Sequence, residues 1–208
     1  MADRRAELLV MDLGGVVCRF HPQRRTEALA RLSGQSEAAI DAQVFDSGFD
    51  DACDRGRFTL TEIVEQLTAM LDIRDHPDPR GALRACWAAA FQPDRAVVEL
   101  CTRATVPVTM FTNNGPLVED ALRHQLAGVT TIFEQLVFAS HLGATKPDPA
   151  SYSGAARTLG VAGDSIYFVD DSADNAKAAR HAGWQAHHFR TALGLTAALT
   201  DAGLLPRS

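Results

Sequence analysis

The chain has 208 residues, with 20 Lys and Arg against 26 Asp and Glu, a formal net charge of −6. Its 46% hydrophobic and 22% charged residues are the proportions of an ordinary globular domain, which excludes a disordered chain and a disulfide-dense mini-protein. The acidic balance argues against nonspecific binding to nucleic acid or to an anionic membrane surface, although local charge in a cleft can still favour an anionic small ligand.

The four cysteines, Cys18, Cys53, Cys86 and Cys101, form no Cys-x-x-Cys pair and read as reduced, mostly apolar fillers. No apolar run is long enough to cross a bilayer. The opening residues Met1-Ala2-Asp3-Arg4-Arg5 lead straight into a strand-like run, unlike a signal peptide. A cytoplasmic location is expected, with neither nucleic acid nor membrane as a partner. No internal repeat or low-complexity tract interrupts the chain.

Leu8 to Met11 is continuously apolar, as a strand covered on both faces should be. From about Cys18 to about Phe91 no convincing strand follows, and four helices are predicted. The first opens at His21-Pro22 and ends near Gly34. Ser36 caps a second, through Ile40 and Val44. Thr59 and Glu62 form a capping box for a third carrying Ile63, Leu67 and Leu71. The fourth runs from Pro79 to Phe91. Beyond them, apolar runs at Val106 to Phe111, Leu136 to Phe138, Ile166 to Val169 and Gln185 to Phe189 alternate with helical patterns. Those patterns lie at Leu117 to Leu126, Pro149 to Leu159 and Ala173 to Ala182. Such alternation implies an α/β, Rossmann-like parallel sheet. The expected organisation is a core of residues 1–17 and 92–208, with a small all-helical cap, 18–91, inserted after the first strand.

In open α/β sheets ligands bind beyond the carboxyl ends of the strands. The first run is followed by Asp12, Leu13 and Gly14. The second is followed by Thr112-Asn113-Asn114, and the fourth by Asp170-Asp171. Near the third, Lys146 stands in a loop before a helix. Three clustered carboxylates repel one another, and a hard divalent cation resolves that. Mg²⁺ is commonly held by one or two carboxylates together with substrate phosphate. Asp12 could then attack phosphorus, since carboxylates serve as nucleophiles in aspartyl-phosphate chemistry. Thr112 and amides near Asn113 could donate to phosphoryl oxygens, and Lys146 could pair with both phosphate and Asp12 as a compact charge.

In order and spacing, these four pieces resemble the four motifs of the haloacid dehalogenase-like hydrolase superfamily, over about residues 8 to 190. The resemblance implies that Asp12 is the nucleophile, that Thr112 and Lys146 hold phosphate, and that Asn113 shapes the phosphate pocket. It further implies an Mg²⁺ site made of Asp12, the Gly14 carbonyl, Asp170 and Asp171, with Asp171 the more direct ligand and Asn175 orienting the loop. Asp174 is left outside the metal shell. The Asp-Leu-Gly opening, Phe45-Asp46 to Phe58 and the Trp87 region resemble a helical-cap branch that includes glucose-1-phosphate phosphatases. The expected activity is Mg²⁺-dependent hydrolysis of a small phosphorylated metabolite, with sugar phosphates among the candidates.

One position departs from the pattern. Most phosphatases of the superfamily carry a second Asp two residues after the nucleophile, as general acid and base, and here that residue is Gly14. Three readings follow: substrates with better leaving groups, a substitute acid such as water or another carboxylate, or a weak or inactive enzyme. General acid–base help is worth ~10²–10⁴-fold, so a slower or more selective enzyme is the expected consequence. Haloacid dehalogenation needs no acid at this position but leaves Asp170-Asp171 unexplained. A phosphate-binding module with a degenerate site would not need to retain Asp12. Around the site, Arg19, Arg55, Arg57 and Phe58 could reach a substrate, Trp87 reads as packing, and His187-His188 as structural or surface.

Overall fold

A computed structural model describes residues 6–206. The leader reading at Met1 to Arg5 lies outside the described residues. Five strands make one parallel sheet: β1 (Leu8–Met11), β4 (Val108–Thr112), β5 (Gln135–Phe138), β6 (Ile166–Asp170) and β7 (Gln185–His188). Their spatial order is β5-β4-β1-β6-β7. The chain therefore runs outward from β1 to one edge, returns, and runs outward to the other. The direction reverses at β1, where open α/β sheets form a crevice.

β1 and β4 are buried at every residue, because helices cover both faces. Leu9 and Met11 face one apolar cluster, while Leu8 and Val10 face the other, with Phe111, Tyr152, Phe168 and Trp184. Successive strand side chains alternate faces, so a strand buried on both sides reads as unbroken hydrophobicity. Each large side chain removed from water here contributes about 1.5–3 kcal/mol. The four aromatics of the second cluster meet edge to face or tilted, for example Tyr152 and Trp184 at 5.4 Å between centroids.

Between β1 and β4 the chain leaves the sheet. β2 (Cys18–Phe20) and β3 (Phe91–Pro93) pair antiparallel as a two-stranded ribbon. Its strands are three residues each, too short for a hydrophobic period to show in the sequence. The stretch from Cys18 to Phe91 thus begins and ends in strand, not in the strand-free run expected. Between them lie α1 (Pro22–Ser33), α2 (Glu37–Ile40) passing into a π-helical turn (Asp41–Phe45), α3 (Phe49–Asp54), α4 (Leu60–Met70) and α5 (Pro79–Ala89). The expected signals operate locally. The Ser36 hydroxyl accepts from the Ala39 amide at 3.2 Å. Thr59 and Glu62 complete a reciprocal capping box. Gly34 ends α1 at φ 72°, a conformation that costs glycine little. The short α3 has no clear apolar period and no capping side chain, and the sequence did not announce it.

After β3 come α6 (Arg95–Thr102), α7 (Pro116–His124), α8 (Ala127–Thr130), α9 (Ala139–Leu142), α10 (Pro149–Leu159), α11 (Ala173–His181) and α12 (Ala192–Asp201). The helical segment leans on this part through α5 and α7. Arg80 on α5 meets Asp120 on α7 at 2.6 Å, and Arg84 meets it at 3.5 Å. All four cysteines are free and buried. Burial pushes the Cys18, Cys53 and Cys101 thiols up to about 12, so they are inert fillers, as expected. No helix among the described residues is long and apolar enough to cross a membrane.

Candidate active site

The strand register brings the site residues together. Met11 stands beside Met110 on one side and Val169 on the other, so Asp12 emerges between the ends of β4 and β6. Its amide donates to the Val169 carbonyl at 2.9 Å. Thr112 ends β4 and Asp170 ends β6. Lys146 arrives from the loop between α9 and α10. Asn113 holds that loop in place: its Nδ2 donates to the Lys146 carbonyl at 2.9 Å, and its Oδ1 accepts from the Lys146 amide at 2.7 Å.

The Lys146 ammonium is buried between two carboxylates, 2.9 Å from Asp12 Oδ1 and 2.7 Å from Asp170 Oδ2. It also donates to the Phe111 carbonyl at 3.0 Å. All three of its donors are used. Beneath it lie the Phe111 and Phe168 rings, at 5.0 and 5.1 Å. Burial alone would lower its pKa, but the charges of Asp12 and Asp170 outweigh that and raise it. The lysine stays charged.

Burial pushes the Asp12 carboxyl up to about 7, with Lys146 pulling it down and Asp170 adding to the rise. Burial and Asp170 also raise Asp171. Carboxylate oxygens of Asp12, Asp170 and Asp171 lie within 4.8 Å of one another. A set of hard oxygens, with two members pushed toward neutrality by burial, fits a divalent cation of the Mg²⁺ type.

Asp170 is fully buried and held on both oxygens. Oδ1 accepts from the Ser172 amide at 2.9 Å and from Asn175 Nδ2 at 3.0 Å, and Oδ2 lies 3.2 Å from the same Asn175 amide. Asp171 is exposed and available. Gly15, at φ 79°, packs directly on the Asp171 carboxylate, and a Cβ there would collide with it.

These groups open on a cavity of about 230 Å³ lined by Asp12, Gly14, Thr112, Asn113, Asn114 and Lys146, with Asp171, Asn175, Phe20 and Phe91. Of the residues expected to serve as nucleophile, to hold phosphate or metal, or to orient the metal loop, all but the buried Asp170 line it. Sequence reasoning missed three. Asn114 Nδ2 donates to Thr112 Oγ1 at 2.6 Å, fixing the hydroxyl. Phe20 and Phe91 come from the ribbon, their centroids 5.2 Å apart. Only the pairing of β2 with β3 makes these two neighbours, so no local signal marks them.

The more distant candidates fall elsewhere. Arg19 pairs with Asp94 at 3.3 Å, and Arg55 with Asp51 at 2.8 Å. Arg57 and Phe58 line a separate cleft beside α7 and α9. Trp87 is buried, with the Arg25 guanidinium 5.3 Å from its ring, a packing role. His188 Nε2 lies 2.9 Å from the Asp171 carbonyl, and the ring does not line the cavity.

A family model described as haloacid dehalogenase-like hydrolase matches residues 6–183. The chain belongs to the haloacid dehalogenase-like hydrolases and is an α/β, Rossmann-like enzyme of that family. It is 29% identical over 190 residues to phosphatase MT3486 of Mycobacterium tuberculosis, covering 86% of this chain and 85% of the relative. It is also 29% identical over 207 residues to (S)-2-haloacid dehalogenase 2 of a Pseudomonas species, covering 85% and 80%. A family enzyme of Bacteroides thetaiotaomicron, solved with magnesium and inorganic phosphate, shares the fold at a TM-score of 0.70 and 18% identity. That match covers 89% of this chain and 94% of the other.

Proposed function

We propose that this hydrolase is an Mg²⁺-dependent phosphatase. It would act on a small phosphorylated metabolite, a sugar phosphate among the candidates, through a phosphoryl group carried on Asp12. The observation that supports this best is Lys146, buried and charged between Asp12 and Asp170 on the wall of a cavity that Thr112 and Asp171 also line. Asp12, Asp171, Asp170 and the Gly14 carbonyl would hold Mg²⁺, which, when bound, offsets the charge of the phosphate and of Asp12.

The chain's own groups account for the rest. Lys146 holds Asp12 Oδ1, so the other oxygen is the one that attacks phosphorus. Thr112, its hydroxyl oriented by Asn114, donates to a phosphoryl oxygen. Asn113 keeps the Lys146 loop in register. Such preorganised charge and positioning is most of what phosphoryl transfer needs. Residues 18–91 act as a cap that encloses a small substrate and excludes water.

The experiment is a panel of aryl, acyl and sugar phosphates with Mg²⁺ and with chelator. Asp12→Asn is expected to lower kcat by roughly 10³-fold or more, as removal of a nucleophile does. Activity indifferent to both Asp12→Asn and chelation overturns the mechanism. The dehalogenase relative and Gly14 favour a second reading, attack of Asp12 on carbon with loss of halide. Halide release from 2-haloacids that persists in chelator would establish it.

A further inference from the structure

We infer that the leaving group departs without a proton from the protein, so the substrate carries its phosphate on an oxygen that leaves as a stabilised anion, such as a carboxylate, in preference to a simple alcohol. This rests on the phosphatase reading of the same cavity.

The wall two residues beyond Asp12 is Gly14 together with the rings of Phe20 and Phe91. Phe20 is 40% exposed, and nothing on this wall can give a proton. The ionisable groups lining the cavity are Asp12, Lys146 and Asp171. Asp12 is the nucleophile. Lys146 has all three donors committed, to Asp12, Asp170 and the Phe111 carbonyl. Asp171 belongs to the carboxylate group that fits a cation.

A carboxyl outside this lining touches the loop that follows β4. Asp54, at the end of α3, accepts from the Gly115 amide just beyond Asn114, and burial followed by repulsion from Asp50 pushes its carboxyl up to about 8. It lines a different cavity, with Arg25, Asp50 and Asp51 within the helical segment. Arg25 pairs with Asp50 at 3.1 Å.

The bonds balance without an acid. An Asp12 oxygen forms a bond to phosphorus while the bond from phosphorus to the leaving oxygen breaks, and that electron pair leaves on the oxygen as an anion. Water then attacks the same phosphorus. The bond to Asp12 breaks and its electron pair returns to the carboxylate, and the proton of the water stays on the phosphate or passes to solvent. A carboxylate, with conjugate acid near about 4, or a phenolate, near about 10, can leave this way. An alkoxide resembles hydroxide, whose parent water has a pKa of about 15.7, and leaves far more slowly. With no base beside the water, the second step is slow, and phosphorylated Asp12 accumulates.

Gly14 is not held by space. A Cβ there would meet Phe91 at 3.6 Å and Phe20 at 3.7 Å, ordinary contacts. The test measures the wild-type holoenzyme with Mg²⁺ on a series of aryl phosphates graded in leaving-group pKa, with acetyl phosphate and glycerol 3-phosphate at the ends. The expected result is a steep fall in kcat/KM with leaving-group pKa. A kcat nearly constant across the aryl members, with a burst of one leaving group per enzyme, should accompany it. Gly14→Asp should raise kcat/KM for glycerol 3-phosphate relative to acetyl phosphate by ~10²-fold, the scale of general acid help. A shallow wild-type dependence overturns the inference, and if Asp54→Asn steepens it, the proton comes from Asp54. Hydrolysis that depends on Asp12 but not on the leaving group removes only this inference. Hydrolysis indifferent to Asp12→Asn removes the phosphatase reading and this inference with it.

Discussion

At the scale of single residues, Lys146 is the group on which the most depends. Removing it leaves Asp12 and Asp170 facing each other in a buried site, and losing one member of such an ion set costs about 3–5 kcal/mol. Lys146→Ala is expected to lower unfolding stability by that order in urea denaturation, and added Mg²⁺ should restore part of it by binding only the folded state. Gly15 is the second sensitive position. It sits at φ 79° with the Asp171 carboxylate where a Cβ would go. Gly15→Ala is expected to cost roughly 1–3 kcal/mol through backbone strain and to weaken Mg²⁺ binding, measured by thermal unfolding and calorimetric titration. Both Asp12 and Lys146 are legible in the sequence, because each follows or faces the end of an apolar run. Phe20 and Phe91 are not, since their effect exists only once two segments 71 positions apart pair in register.

At the scale of elements, the contact between α5 and α7 joins the helical segment to the sheet. Asp120 is 3% exposed and faces Arg80, Arg84 and His124. Burial alone would raise its carboxyl, but the Arg80 hydrogen bond and charge, with Arg84 and His124, hold it below the ordinary range. A carboxyl lowered on folding adds stability above its unfolded pKa and loses it as pH falls through the folded value. Acid should therefore loosen this contact. Asp120→Asn is expected to cost about 1–3 kcal/mol, discounted because Arg80 is half exposed, and to flatten the acid limb of a stability-against-pH curve. The helices themselves were legible where caps and period agree, as at α4 and α10. The short α3 and the ribbon were not, because a handful of residues carries no measurable period.

For the whole molecule, the folded state gathers three carboxylates at one end of the sheet. The Asp12 carboxyl is raised to about 7 from an unfolded value near 3.8. Stability of the metal-free protein should therefore fall as pH rises across that interval. A cation competes with the proton for this carboxylate. The apparent affinity for Mg²⁺ should rise with pH up to about 7 and then level. Thermal shift titrations at several pH values check this, with about 2.7 kcal/mol of stabilisation expected when Mg²⁺ is a hundredfold above its dissociation constant. The net charge of −6 is thus no guide to the ligand, because the acidic groups that contribute to it include those that fit a cation.

By itself the sequence determined the sheet, its parallel sense, the inserted helices and the residues at the strand ends. Burial on both faces writes itself as unbroken apolar runs, and the residue after each run is placed by the strand. Only the tertiary structure decided how those residues combine. It buried Lys146 between two carboxylates, turned Asn113 into the anchor of the lysine loop, and set two phenyl rings beside Gly14. These are contacts between segments far apart in the chain, set by strand order and register. They determine which charges are paired, which are raised by burial, and which wall of the cavity has no proton to give.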